Sequence, residues 1–98
     1  MLIDFDRVLV DMEGKDIISK DEKPATVKGV TVEALLATFN DEQNLAGEEK
    51  LKRYELAYKI NEGYRDMTAE DIVLIKKLVG KAYSPIIVGQ AWKTLEGK

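Results

Sequence analysis

The stretch from Thr68 to Leu95 constrains the fold of this chain more than any other. Ile72, Leu74, Ile75, Leu78, Val79, Ala82 and Tyr83 recur at helical spacing, and at about 100° per residue they cover an arc of roughly 180°. An arc that wide implies a helix with more than one neighbour. Thr68 has the chemistry of an N-cap, and Asp71, three residues on, completes an acidic form of the capping box. Tyr83 precedes Ser84-Pro85, and the residue before a proline is biased away from helical backbone, so this helix ends near Tyr83. Pro85 then suits the first position of a second helix, where the missing N–H costs nothing. Ile87, Val88, Ala91, Trp92 and Leu95 share one face of that helix. Gly80 and Gly89 each weaken a helix interior by about 1 kcal/mol relative to alanine, which suggests close helix–helix approach at the corner.

Upstream, residues 48–61 form a helix with two apolar lobes. One lobe is Leu51, Tyr54 and Tyr58; the other is Leu56, Ala57 and Ile60, with Arg53 among them. Glu48 and Lys52, and likewise Glu55 and Lys59, are spaced i,i+4 in the favourable orientation and mark a solvated face. Large apolar side chains are usually inside, so the plain expectation is that the N-terminal segment covers one lobe and the last two helices the other. The competing expectation is that Leu51, Tyr54 and Tyr58, with Arg53 at their edge, form an exposed contact surface. Tyrosine and arginine are the residue types enriched at interface hot spots.

The first 30 residues read as β structure, a hairpin or three-stranded meander. Ile3 and Phe5 alternate with acids, and Val8, Val10 and Met12 continue in the opposite phase, which requires a turn or bulge near Asp6-Arg7. Glu13-Gly14-Lys15 is a turn signal, Ile17-Ile18 a returning strand, and Ala25 to Lys28 a third. A short helix from Thr31 to Phe39 follows, capped by Thr31, with Val32, Leu35, Leu36 and Phe39 as its stripe. The loop Asn40 to Gly47 carries Leu45 as a hydrophobic staple. The expected architecture is therefore one α+β domain over residues 1–98: β-rich over 1–30, then four packed helices over 31–98. Its core is expected from Val10, Leu35, Leu36, Phe39, Leu51, Leu56, Ile60, Ile72, Ile75, Leu78, Val79, Ile87, Ala91, Trp92 and Leu95.

Composition narrows the function. The chain has no cysteine and no histidine, which removes thiolate chemistry and the commonest general base and zinc ligand. There is no glycine-rich phosphate loop and no nucleophile elbow. The acids between Asp4 and Asp16 do not follow calcium-loop spacing. The expectation is a protein that is not an enzyme and has no cofactor or metal. No apolar run approaches the roughly 20 residues of a membrane span. The opening MLIDFDRVLV carries acids where a secretory signal carries basic residues, which points to a cytoplasmic protein.

Charge is uneven: residues 1–49 hold 12 acidic and 5 basic side chains, residues 50–98 hold 6 and 10. A nucleic-acid face would have to come from Lys50, Lys52, Lys76, Lys77 and Lys81. The net charge of −3 and the proline corner, in place of a glycine-containing turn, argue against a helix-turn-helix.

The segments DEQNLAGEEKLKRYELAYKI and MTAEDIVLIKKLVGKAYSPIIVGQAW resemble those of short proteins encoded by tailed phages and prophages, and the strand–turn–strand opening is similar too. The resemblance spans nearly the whole chain and brings no catalytic residues with it. It implies a phage or prophage protein acting inside a bacterial host, either in assembly or on a host protein. That role fits a protein–protein interaction module built on the tyrosine lobe; the alternative is a small nucleic-acid-associated regulator, and self-association through the tyrosine lobe is compatible with either.

Overall fold

The computed structural model describes residues 1–98. Four helices are formed: α1 (Val27–Leu36), α2 (Gly47–Asn61), α3 (Ala69–Ala82) and α4 (Pro85–Leu95), with a 3-10 turn at Asn40–Glu42. They make a compact globule with a radius of gyration of 13.1 Å. Helix α1 is its centre and packs against the other three; α3 also packs on α4, and α2 has no helical neighbour but α1.

The α3–α4 unit follows its local signals. Asp71 N–H donates to Thr68 Oγ1, and Thr68 N–H donates back to the Asp71 carboxylate, both at 3.1 Å. Tyr83 is the C-cap of α3, and Pro85 opens α4. Ser84 occupies the N-cap position of α4 but makes no side-chain capping bond. Close approach is real at Gly80, where an added Cβ would lie 3.2 Å from Trp92 Cζ2. Gly89 faces open space, so close packing is not the reason for that glycine. The Trp92 indole is half-buried; its N–H donates to the Lys76 carbonyl at 3.0 Å and so seals the α3–α4 seam.

Helix α1 begins four residues earlier than the periodicity suggests. Thr26, not Thr31, is its cap, accepting from Gly29 N–H at 3.2 Å. Val27, Val30, Thr31, Ala34 and Leu35 form its buried stripe, so Thr31 sits in the core. The run of β-branched residues looked like a strand, but its i, i+3, i+4, i+7, i+8 spacing is that of a helix face.

No sheet is present over residues 1–30, and the expected hairpin reaches only isolated bridges: Val8 with Thr26, Val10 with Asp16, and Ile18 with Pro24. Three extended segments close on one another in a ring. Ile17 N–H donates to Leu9 O at 2.9 Å, Leu9 N–H to Ala25 O at 2.8 Å, and Ala25 N–H to Ile17 O at 2.7 Å. Each segment thus meets both others through one or two residues, which leaves no length for a ladder. Helix α4 supplies the missing pairing. The Gln90 side chain accepts from Val10 N–H at 2.9 Å and donates to Val10 O at 2.8 Å, as a neighbouring strand would. The turn at Glu13-Gly14 is formed, with Gly14 N–H donating to Asp11 O.

The side-chain phase of this segment also differs from expectation. Ile3, Phe5 and Leu9 are buried, whereas Val8 and Met12 are exposed and Val10 is half-buried. The odd-numbered phase runs through Asp6-Arg7 without switching, because a turn there returns the chain to the same side. The core is Ile3, Phe5, Leu9, Val27, Val30, Ala34, Leu35, Leu56, Ala57, Ile60, Met67, Ile75, Leu78, Val79, Ala91 and Leu95. Leu36 and Leu51, expected inside, are exposed; Phe39, Ile72, Ile87 and Trp92 are half-buried and pack on the core rim. No helix is long and apolar enough to cross a membrane.

Candidate interaction surface

The two lobes of α2 have separate fates. Leu56, Ala57 and Ile60 are buried. Leu51, Tyr54 and Tyr58 remain 55%, 55% and 56% exposed. The expectation that one element covers each lobe therefore fails: with α1 as its only helical neighbour, α2 lies at the edge of the bundle. At about 100° per residue the three exposed side chains fall within roughly 60° of arc, opposite the buried lobe. The two tyrosine rings sit 6.3 Å apart between centroids and tilted by 38°, within the range of favourable aromatic pairs. Together with Glu55 and Lys59 they border a shallow hollow of about 260 Å³.

Arg53 does not join this surface. Its side chain is 6% exposed and turns into the protein. Nη1 and Nη2 donate to Glu42 Oε1 and Oε2, each at 2.8 Å, in a bidentate pair. Glu49 Oε1 lies 3.6 Å from its Nε. The Arg53 guanidinium holds the Glu42 carboxyl down at about 2, with Lys81 adding to the effect; Arg53 itself is pushed up, mainly by its hydrogen bonds to Glu42. Arg53 ties the 3-10 turn to α2. It is a structural residue, because its fork geometry matches a carboxylate that the preceding loop brings to it. The partner lies eleven residues away across an irregular segment, beyond the reach of helical periodicity.

The basic residues are dispersed. Lys76 Nζ pairs with Glu96 at 2.6 Å and lies 4.6 Å from the Trp92 ring centroid. Lys81 Nζ pairs with Asp41 at 2.8 Å and lies 4.9 Å from the Phe39 ring centroid. Lys50, Lys52 and Lys77 are exposed, but the first two are on α2 and the third on α3, and these helices do not touch. No continuous cationic stripe results, and the two lysines nearest to carboxylates are already neutralised.

A wider depression of about 660 Å³ lies between residues 17–26, α1 and the α3–α4 corner. There the Tyr83 hydroxyl donates to Glu33 Oε2 at 2.8 Å. Burial first, and then the Glu33 carboxylate, push the Tyr83 phenol up, so its hydroxyl stays protonated and serves as the donor of this bond. No three acidic side chains converge on a point that could hold a metal ion. On the outer face of α2 three large exposed side chains, Leu51, Tyr54 and Tyr58, gather on a single helix. Comparison of the chain with protein-family models, with curated proteins and with solved structures finds no match in any of the three.

Proposed function

We propose that this chain is a non-enzymatic protein–protein interaction module, encoded by a phage or prophage and working in the cytoplasm of its bacterial host. Its contact surface is the outer face of α2. One observation carries the reading: Leu51, Tyr54 and Tyr58 project together from an edge helix whose opposite side is fully packed. Tyrosines offer large, rigid contact area at low entropic cost, which is why they anchor interfaces. Assembly with other phage components and modulation of a host protein both use such a face. The nucleic-acid alternative gains no support, since Lys76 and Lys81 are engaged within the fold.

The test is capture of partners from bacterial lysate by the tagged protein and by a Tyr54→Ser/Tyr58→Ser variant, with and without nuclease. Circular dichroism first establishes that the variant is folded. The proposal expects a nuclease-resistant partner that the variant loses. Equal capture by both forms, or capture abolished by nuclease, would refute it.

A further inference from the structure

We infer that the partner for the outer face of α2 is a second copy of this chain, docked antiparallel through α2 about a two-fold axis near Tyr54. This inference rests on the reading that the face is an interaction surface, and it names the occupant. Four charges flank the apolar stripe on one side: Glu48, Lys52, Glu55 and Lys59. At about 100° per residue they lie roughly 40° to 100° around the helix from Leu51. Their i,i+4 spacing suggests pairing within the helix, but none of the four takes part in an ion pair. They stand exposed, in the order negative, positive, negative, positive.

That order is self-complementary only when the helix is reversed. A two-fold axis perpendicular to two facing helices keeps each flank against the same flank of its partner and inverts its direction. Reversal about the midpoint of the four charges sets Glu48 against Lys59 of the other copy and Lys52 against Glu55, so all four meet opposite charge. A parallel two-fold pairing has its axis along the helices and sets this charged flank against the opposite flank of the partner, so the four charges do not meet one another. The midpoint of the charges falls between Arg53 and Tyr54, and the midpoint of Leu51, Tyr54 and Tyr58 falls just past Tyr54. The two differ by roughly one residue, about 1.5 Å of helical rise. Charge pattern and apolar stripe therefore place the axis independently at the same point. The patch on each copy is then the same patch, as an isologous interface requires. The edge position of α2 leaves it open to approach. With three large apolar side chains per copy, the interface belongs to the small, reversible class.

The test is sedimentation equilibrium of the full chain across about two decades of concentration, up to about 500 µM. The wild type should associate reversibly to a dimer. Glu55→Lys sets two lysines against each other across the axis, and Lys52→Glu sets two glutamates. Each variant alone should dimerise roughly tenfold more weakly, since two exposed pairs are lost and like charges subtract. Mixing the two variants restores opposite charge at both contacts and should return the dimer to near wild-type strength.

A monomeric wild type, single variants that still dimerise fully, or a mixture without rescue would each overturn the inference. Lysate capture distinguishes the two levels of failure. If the wild type is monomeric but the tyrosine variant still loses a captured partner, the face is an interaction surface for something else. If capture is also unchanged, the interaction reading fails with the inference.

Discussion

Glu42→Gln should destabilise the protein by about 2–3 kcal/mol at neutral pH. The substitution keeps the shape and removes the charge that faces Arg53. Arg53 is 6% exposed and Glu42 12%, and their two hydrogen bonds are both 2.8 Å. Removing one member of a buried ion pair costs roughly 3–5 kcal/mol, because the other charge is left buried. Glu49, 3.6 Å from Arg53 Nε, retains part of the compensation, and the glutamine oxygen can still accept one bond, which lowers the figure. Linkage gives a second route to it. The carboxyl is held at about 2 against an ordinary 4.5, a difference of about 3 kcal/mol at roughly 1.4 kcal/mol per unit. A folded value below the unfolded one means the stabilisation is complete above about pH 4.5 and is lost as pH falls toward 2. Urea unfolding followed by Trp92 fluorescence should show a midpoint lowered by about 2 M at pH 7. The gap between wild type and variant should shrink to less than half by about pH 3. A gap under about 0.5 kcal/mol at pH 7, or one that does not change with pH, would show that the pair is not desolvated as described.

Three further substitutions probe the packing. Gly89→Ala should stabilise by up to about 1 kcal/mol by helix propensity, whereas Gly80→Ala should forfeit that gain because its Cβ meets a Trp92 ring pinned by the Lys76 carbonyl; thermal melts of both decide it. Thr31→Val should stabilise by about 1 kcal/mol, since the Thr31 hydroxyl is fully buried without a hydrogen-bond partner, and an unchanged or lower urea midpoint would mean the hydroxyl is satisfied after all. Gln90→Leu strips Val10 of both its partners and should cost roughly 1–3 kcal/mol, with faster hydrogen exchange at the Val10 amide as its specific sign.

Local signals made the C-terminal half legible. Thr68, Asp71 and Pro85 act within one turn of themselves, so the limits of α3 and α4 follow from neighbours in sequence. The first 30 residues were legible in their turns but not in their pairing. Val10 is satisfied by Gln90, 80 residues away, and the ring of Leu9, Ile17 and Ala25 is not a ladder that alternation can reveal. Thr26 and Thr31 are the same residue type five positions apart, and only the burial of Val27 and Val30 decides which one caps α1. For the candidate surface, spacing resolved the two lobes of α2 correctly but not which of them is covered. That depends on α1 being the sole neighbour of α2, a matter of tertiary arrangement. Arg53 was placed at the surface because helix spacing says nothing of Glu42, which the 3-10 turn delivers.

The most direct measurement of the central claim is a dilution series of backbone amide NMR spectra of the wild-type protein. The account predicts concentration-dependent shifts at Leu51, Tyr54, Glu55, Tyr58 and Lys59, with α3 and α4 unmoved. Spectra that do not change with concentration, or shifts centred on α3 or α4 instead, would contradict it.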